Sequence, residues 1–171
     1  MIAARATYPR RRKTMQAHWR SAFGQMTYGI YVLTTRHENT INGMIASWVS
    51  QVSHTPPLVL AAVHPNRYTH GLLTESGVFA LHILDRSQKE MLARFKGPEP
   101  ERKFDDLDWR AGQTGCPVLR DCLAWFECRV IDRPAPGNHT LFIGEVIQAG
   151  SPAKGTPLTT LDYEGQYTGR V

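Results

Sequence analysis

The sequence is short of the features that mark several large classes of protein. Three cysteines in 171 residues are an odd number and too few for a disulfide scaffold, which fits a reducing, cytoplasmic setting. No apolar run approaches the roughly 18 residues needed to cross a bilayer; the longest candidate, Pro56 to Val63, has the length of a strand. No apolar stretch follows the N-terminal arginines before Trp19, so a signal peptide is not expected and neither is a membrane partner. No metal-ligand spacing occurs either. Cys116, Cys122 and Cys128 stand six apart, and the strand-like setting of Cys128 reads as a small buried hydrophobe. Ser–His–acid motifs, glycine-rich phosphate loops, repeats and low-complexity segments do not stand out.

Acidic residues are missing from one place in particular. Arg5, Arg10, Arg11, Arg12 and Lys13 precede Met15 with no acid among them, and they account for the whole net charge of +5. The remainder carries 15 basic and 15 acidic side chains. A nucleic-acid binder should carry its basic patch on the folded domain, so no nucleic-acid partner is expected. The expected organisation is a flexible basic tail over residues 1–14 and one domain over residues 15–171.

What is present is a succession of short strands. Trp19, Ala22, Phe23 and Met26 fall at helical spacing in QAHWRSAFGQM, which predicts a short amphipathic helix. YGIYVLTTR alternates and is rich in β-branched and aromatic residues, predicting a strand from near Gly29. HENTIN is a polar turn, after which the chain returns through GMIASWVS. PPLVLAAVH is a strand with its prolines confined to the start, NRYTHGLLTES a helix closed by Gly77, and GVFALHIL a strand. SQKEMLARF reads as a helix with Ser87 as N-cap and Glu90 completing a capping box. KGPEPERKFDDLDW has the character of a long loop or lid. LAWFECRVID, HTLFIGEVIQAG and a short PLTTLDY are strand-like, with RPAPGN as a turn between the first two. Six or seven strands with about three short helices predict a mainly β fold. The expected form is an antiparallel Greek-key barrel with short flanking helices, because no helix separates the strands between 122 and 150.

One stretch does not fit simple half-burial. In GMIASWVSQVS one parity gives Met44, Ala46, Trp48, Ser50 and Val52, and the other Gly43, Ile45, Ser47, Val49, Gln51 and Ser53. Neither is cleanly apolar. Two accounts remain: an edge or bulged strand with solvent-facing serines, or a wall completed by a flat ligand read through main-chain hydrogen bonds.

The blocks YGIYVLTT, NGMIASWVSQVSHTPPLVLAAV and NRYTHGLLTESGVFALHIL resemble the flavin reductase-like family, whose fold is the FMN-binding split barrel. Lys103–Phe104, HTLFIGEV and PLTTLDYEGQY fit that family in order and approximate spacing, so the likeness spans roughly residues 16–170. It implies a homodimer with one FMN per subunit, FAD being possible, and NADH or NADPH as transient donor. On this resemblance Ala46, Ser47, Trp48, Val49 and Ser50 match the cradle of the isoalloxazine and ribityl chain, and Val52 and Ser53 the continuing contact strand. Arg67 and Thr69 match phosphate ligands, while His70 either joins them or caps the helix. Phe79 and Ala80 would lie near the ring. Phe104 would cover the rings and Lys103 would meet nucleotide phosphate, unless the segment is a solvated loop anchored by two aromatics. His139 matches a histidine beside the nicotinamide, with an exposed turn-end histidine as the alternative.

The missing nucleophile and metal are consistent with this, since a flavin supplies its own redox chemistry. The resemblance implies an NAD(P)H-dependent flavin reductase serving a partner such as a two-component monooxygenase. Trp48 within the cradle is also similar to the flavoredoxin-like branch, small FMN electron-transfer proteins that exchange electrons with other proteins rather than with NAD(P)H. A split barrel that senses flavin or has lost it is a third reading.

Overall fold

The computed structural model describes residues 16–97 and 99–163; the expected basic tail and the end of the PLTTLDYEGQY block lie outside them. In chain order the elements are α1 (Ala17–Phe23), β1 (Tyr31–His37), β2 (Thr40–Ala46), β3 (Val49–His54), β4 (Pro57–Val63) and α2 (Tyr68–Ser76). They continue with β5 (Val78–Ile83), α3 (Glu90–Lys96), β6 (Trp109–Ala111), β7 (Pro117–Leu119), β8 (Ala124–Asp132) and β9 (Thr140–Gly150). The fold is mainly β, as expected. Seven strands form one antiparallel sheet in the order β2-β1-β5-β8-β9-β4-β3, and β6 pairs with β7 in a small second sheet.

The two edges of the large sheet, β2 and β3, are joined by only Ser47 and Trp48. Three Cα steps of about 3.8 Å separate Ala46 from Val49, so these strand ends stand no more than about 11 Å apart. The sheet therefore curls until its edges meet at one corner. This geometry explains the irregular parity of GMIASWVSQVS, which is two strands on opposite edges rather than one. Ile45 and Ala46 at the end of β2 are both buried, one on each face. β3 is an exposed edge whose pairing with β4 slips between Gln51 and Ser53, leaving Val52 as a bulge.

Inside the curl lie Leu33, Val59, Ala61, Val63, Phe79, Leu81, Cys128 and Phe142, closed at one end by Leu73 of α2. Gly144 makes room for this packing, since a Cβ there would sit 2.6 Å from the Phe79 ring. A second core forms outside β1 and β2, where Val32 and Ile45 meet Met91, Leu92 and Phe95 of α3, together with Phe104 and Leu119. Both faces of β1 and β5 are thus buried: β5 reads as a nearly continuous apolar run, and β1 buries Thr34 and Thr35 beside Val32 and Leu33.

Several local expectations hold and several need correction. α2 ends as predicted on Gly77, whose φ of 65° is the left-handed conformation that favours glycine. The capping box at Ser87 does not form. The Ser87 N–H and hydroxyl both donate to Asp85 Oδ1, at 2.9 and 2.7 Å, which holds the residue in a turn and delays α3 to Glu90. A capping box does occur between Thr159 and Asp162, where PLTTLDY makes a short 3-10 helix (Thr160–Asp162) instead of a strand. The polar segment before Trp109 is no lid. Phe104 is buried against Phe95 and Trp109, with ring centroids 5.6 and 5.8 Å away, so it anchors a loop in the outer core. α1 has the expected helical spacing, but none of its residues is buried.

Candidate functional site

The strand order gathers three chain segments at one end of the sheet. β4 and β9 pair antiparallel with Val63 opposite Thr140, so the next residues outward, His64 and His139, also come together. β3 pairs with β4 through Val49 and Ala61, and the Ala62 N–H donates to the Trp48 carbonyl at 2.9 Å, which brings Trp48 to the same end. The three rings form a ladder. Trp48 and His139 have centroids 4.7 Å apart at 48°, and His64 stands edge-on to His139 at 5.0 Å and 81°. Trp48 is 49% exposed, so much of the indole remains open.

His139 is held below the ordinary histidine range, first by burial and then by the positive charges of His64 and Arg67. It is therefore neutral at pH 7. Its Nδ1 lies 2.9 Å from Asn138 Oδ1, which only accepts, so Nδ1 carries the proton and Nε2 presents a lone pair.

One cation, Arg67, acts on the ladder, and a second, Lys103, neighbours Arg67. Lys103 Nζ donates to the Gly43 carbonyl at 3.0 Å, which leaves two of its three protons for another partner. Burial lowers its pKa, and the nearby Arg67 guanidinium lowers it further. Arg67 occupies the N-cap of α2 without a side-chain cap, and its carbonyl accepts the His70 N–H at 2.8 Å. An open aromatic face, an exposed bulged edge strand, a helix start and two neighbouring cations suit a flat heteroaromatic group that ends in a phosphate.

The residues expected from sequence divide into those that meet here and those that do not. Trp48 and His139 meet in the ladder, Arg67 acts electrostatically on His139, and Lys103 is linked to them through Arg67. Val49 and Ser53 are half-buried along β3, while Ser50 and Val52 are exposed beside them. Ala46 and Ser47 are buried at the corner, leaving chiefly their backbone to offer. Thr69 is only 2% exposed, so its side chain gives an outside phosphate almost no surface. His70 neither caps α2 nor points to an anion. Its Nε2 pairs with Thr140 Oγ1 at 2.8 Å and its ring packs on Phe142, tying α2 to β9. Phe79 and Ala80 are fully buried on opposite faces of β5, because both sides of that strand are covered, and neither can flank a ligand ring. Phe104 is likewise committed to the outer core.

His64 and the Gly43 carbonyl are the members that the sequence reading missed. His64 directly follows the apolar run of β4, but only the β4–β9 register reveals what stands opposite it. Among the described residues no group of three or more metal-ligating side chains is assembled. Among the described residues no helix is long and apolar enough to cross a membrane.

Comparison with known proteins converges on one family. Residues 23–169 match the model of the flavin reductase like domain. The FMN reductase (NADH) of Agrobacterium fabrum is 37% identical over 131 residues, covering 77% of this chain and 74% of that protein. The NADH-dependent flavin reductase of Pseudomonas fluorescens is 35% identical over 155 residues, covering 89% and 88%. The styrene monooxygenase flavin reductase of Pseudomonas putida S12 superposes with a TM-score of 0.73 at 32% identity, over 82% of this chain and 90% of that one. With its antiparallel fold and its site accounted for, this chain belongs to the flavin reductase like domain family.

Proposed function

We infer that this chain reduces FMN with NADH or NADPH and supplies reduced flavin, or its electrons, to a partner protein. The observation that carries this reading is the Trp48–His139–His64 ladder beside the Arg67–Lys103 pair. A bound flavin supplies two-electron redox chemistry that the chain's own side chains lack. Arg67, Lys103 and the start of α2 hold its phosphate, and this pairing of cations favours the terminal phosphate of FMN over the bridging one of FAD. Trp48 and the backbone of Ala46 to Ser50 flank the ring system. His139, neutral and with Nε2 free, accepts a hydrogen bond from the carboxamide of the nicotinamide and orients that ring.

The names of similar proteins support a monooxygenase as the partner class. A homodimer would cover the surfaces this chain leaves open, since Trp19 and Phe23 on α1 and Val52 on β3 are exposed apolar groups. We place the protein in the cytoplasm, in keeping with three free, buried cysteines.

His139→Ala is expected to raise KM for the reduced nucleotide about tenfold, the value of one hydrogen bond plus ring packing. Affinity for FMN should stay within about twofold by fluorescence titration. An unchanged KM would remove His139 from the donor side. Anaerobic addition of NADH or NADPH to the FMN-loaded protein tests the activity itself. Bleaching of the visible band supports the reductase, whereas bleaching by dithionite alone would make the protein an electron carrier of the flavoredoxin kind.

A further inference from the structure

We propose that His64 is a positioning residue for this reaction, its imidazole standing edge-on against His139 and fixing that ring against Trp48. The proposal rests on the reading of His139 as the donor-side residue. Nothing in the chemistry of flavin reduction calls for a histidine at position 64; its assignment comes from the geometry alone.

Three observations define the arrangement. The β4–β9 register sets His64 opposite His139, each one residue beyond the last pair, Val63 and Thr140. The Asn66 N–H donates to His64 Nδ1 at 3.1 Å, which orients the His64 ring and leaves its proton on Nε2. The ring then meets His139 at 81° with centroids 5.0 Å apart, the edge-to-face packing that aromatic rings prefer. His139 is thus confined on two sides, by Trp48 from β3's end and by His64 from β4's end. Its remaining tie is the Asn138 amide next to it in sequence. Without His64 the imidazole would be free to turn away from Trp48.

The same placement controls charge. The charged groups acting on His139 are His64, following β4, and Arg67, preceding α2; Trp48 and Asn138 carry none. His70, on α2, feels the charges of both His64 and Arg133. His64 and Arg67 both act against a positive charge on His139, so His139 keeps the neutral form that can accept a hydrogen bond. Ring and charge are separable by substitution. His64→Phe keeps an aromatic edge and removes the charge, while His64→Ala removes both.

The experiment uses the full chain loaded with FMN. It records steady-state kinetics with NADH, FMN affinity, and the NMR titration of the His139 imidazole in the wild type and both variants. In His64→Ala we expect KM to rise about fivefold with kcat within about twofold, and the His139 midpoint to move upward. FMN affinity should not change. His64→Phe should restore most of the KM while leaving the midpoint raised, a pattern that a general structural role would not produce. An unchanged KM and midpoint in His64→Ala would overturn the proposal, as would a His64→Phe variant no better than alanine. Were His139→Ala to raise KM and His64→Ala not, only the role of His64 would fall. Were His139→Ala itself silent, the reading of His139 would fall and take this proposal with it.

Discussion

Neutralising both cations, in the double variant Arg67→Met/Lys103→Met, is expected to weaken FMN binding by about two to four orders of magnitude. A hydrogen bond to a charged group contributes about 1.5–3 kcal/mol, and two are removed. The two residues should not contribute alike. Lys103 is half-buried and already directed by its bond to the Gly43 carbonyl, so its remaining donors are largely pre-oriented. Arg67 is exposed, so its share should shrink as salt rises. Riboflavin, which has the same ring and no phosphate, is the control. Fluorescence titration should show its affinity unchanged in the double variant. Equal losses for FMN and riboflavin would mean that the pair acts on the ring or on the fold.

The second large effect concerns stability in acid. His82 lies wholly inside the protein, between the large sheet and β7. Its Nδ1 is 3.1 Å from the Val32 carbonyl, and its Nε2 accepts the Leu119 N–H at 3.1 Å. Both ring nitrogens are therefore committed in the neutral form. A second proton on Nε2 would confront the Leu119 donor, and burial pushes the pKa from 6.5 down to about 4. Between those values the unfolded chain binds the proton and the folded chain does not, so stability falls as pH falls. The full contribution is present above pH 6.5 and lost by about pH 4. At 1.36 kcal/mol per unit, the loss is about 3 kcal/mol.

Urea unfolding at a series of pH values measures this directly. His70 and His139 are shifted in the same direction, so the difference between wild type and His82→Leu isolates the effect. The variant should be weaker at pH 7, because the Leu119 N–H loses its acceptor, and should show a shallower slope from pH 6.5 to 4. Parallel slopes would mean that His82 is not the group that titrates.

Periodicity made much of this architecture legible. The strands YGIYVLTTR and PPLVLAAVH and the helix ending on Gly77 were readable because local pattern and tertiary role agree there. GMIASWVSQVS was readable as an anomaly and no further. Its two halves belong to opposite sheet edges, and which edge a strand occupies depends on partners far away in the chain. The edge-strand account of it holds, because β3 is an exposed, bulged edge. Phe79 and Phe104 fitted a ring-flanking role by order along the chain, but burial on both faces of β5 and the pull of the outer core assign them to packing. Ser87 carried the sequence form of a capping box and lost it to Asp85, a competitor two residues away. His64 shows the opposite failure, a residue with no motif of its own that acquires a neighbour through register.

The central claim is that a flat redox cofactor rests against Trp48 at the corner where the sheet's edges meet. A crystal structure of the full chain grown with FMN tests it most directly. The account predicts the tricyclic ring against Trp48 and the Ala46–Ser50 backbone, with the phosphate between Arg67 and Lys103. A corner filled by the protein's own side chains, or a flavin bound elsewhere, would contradict it.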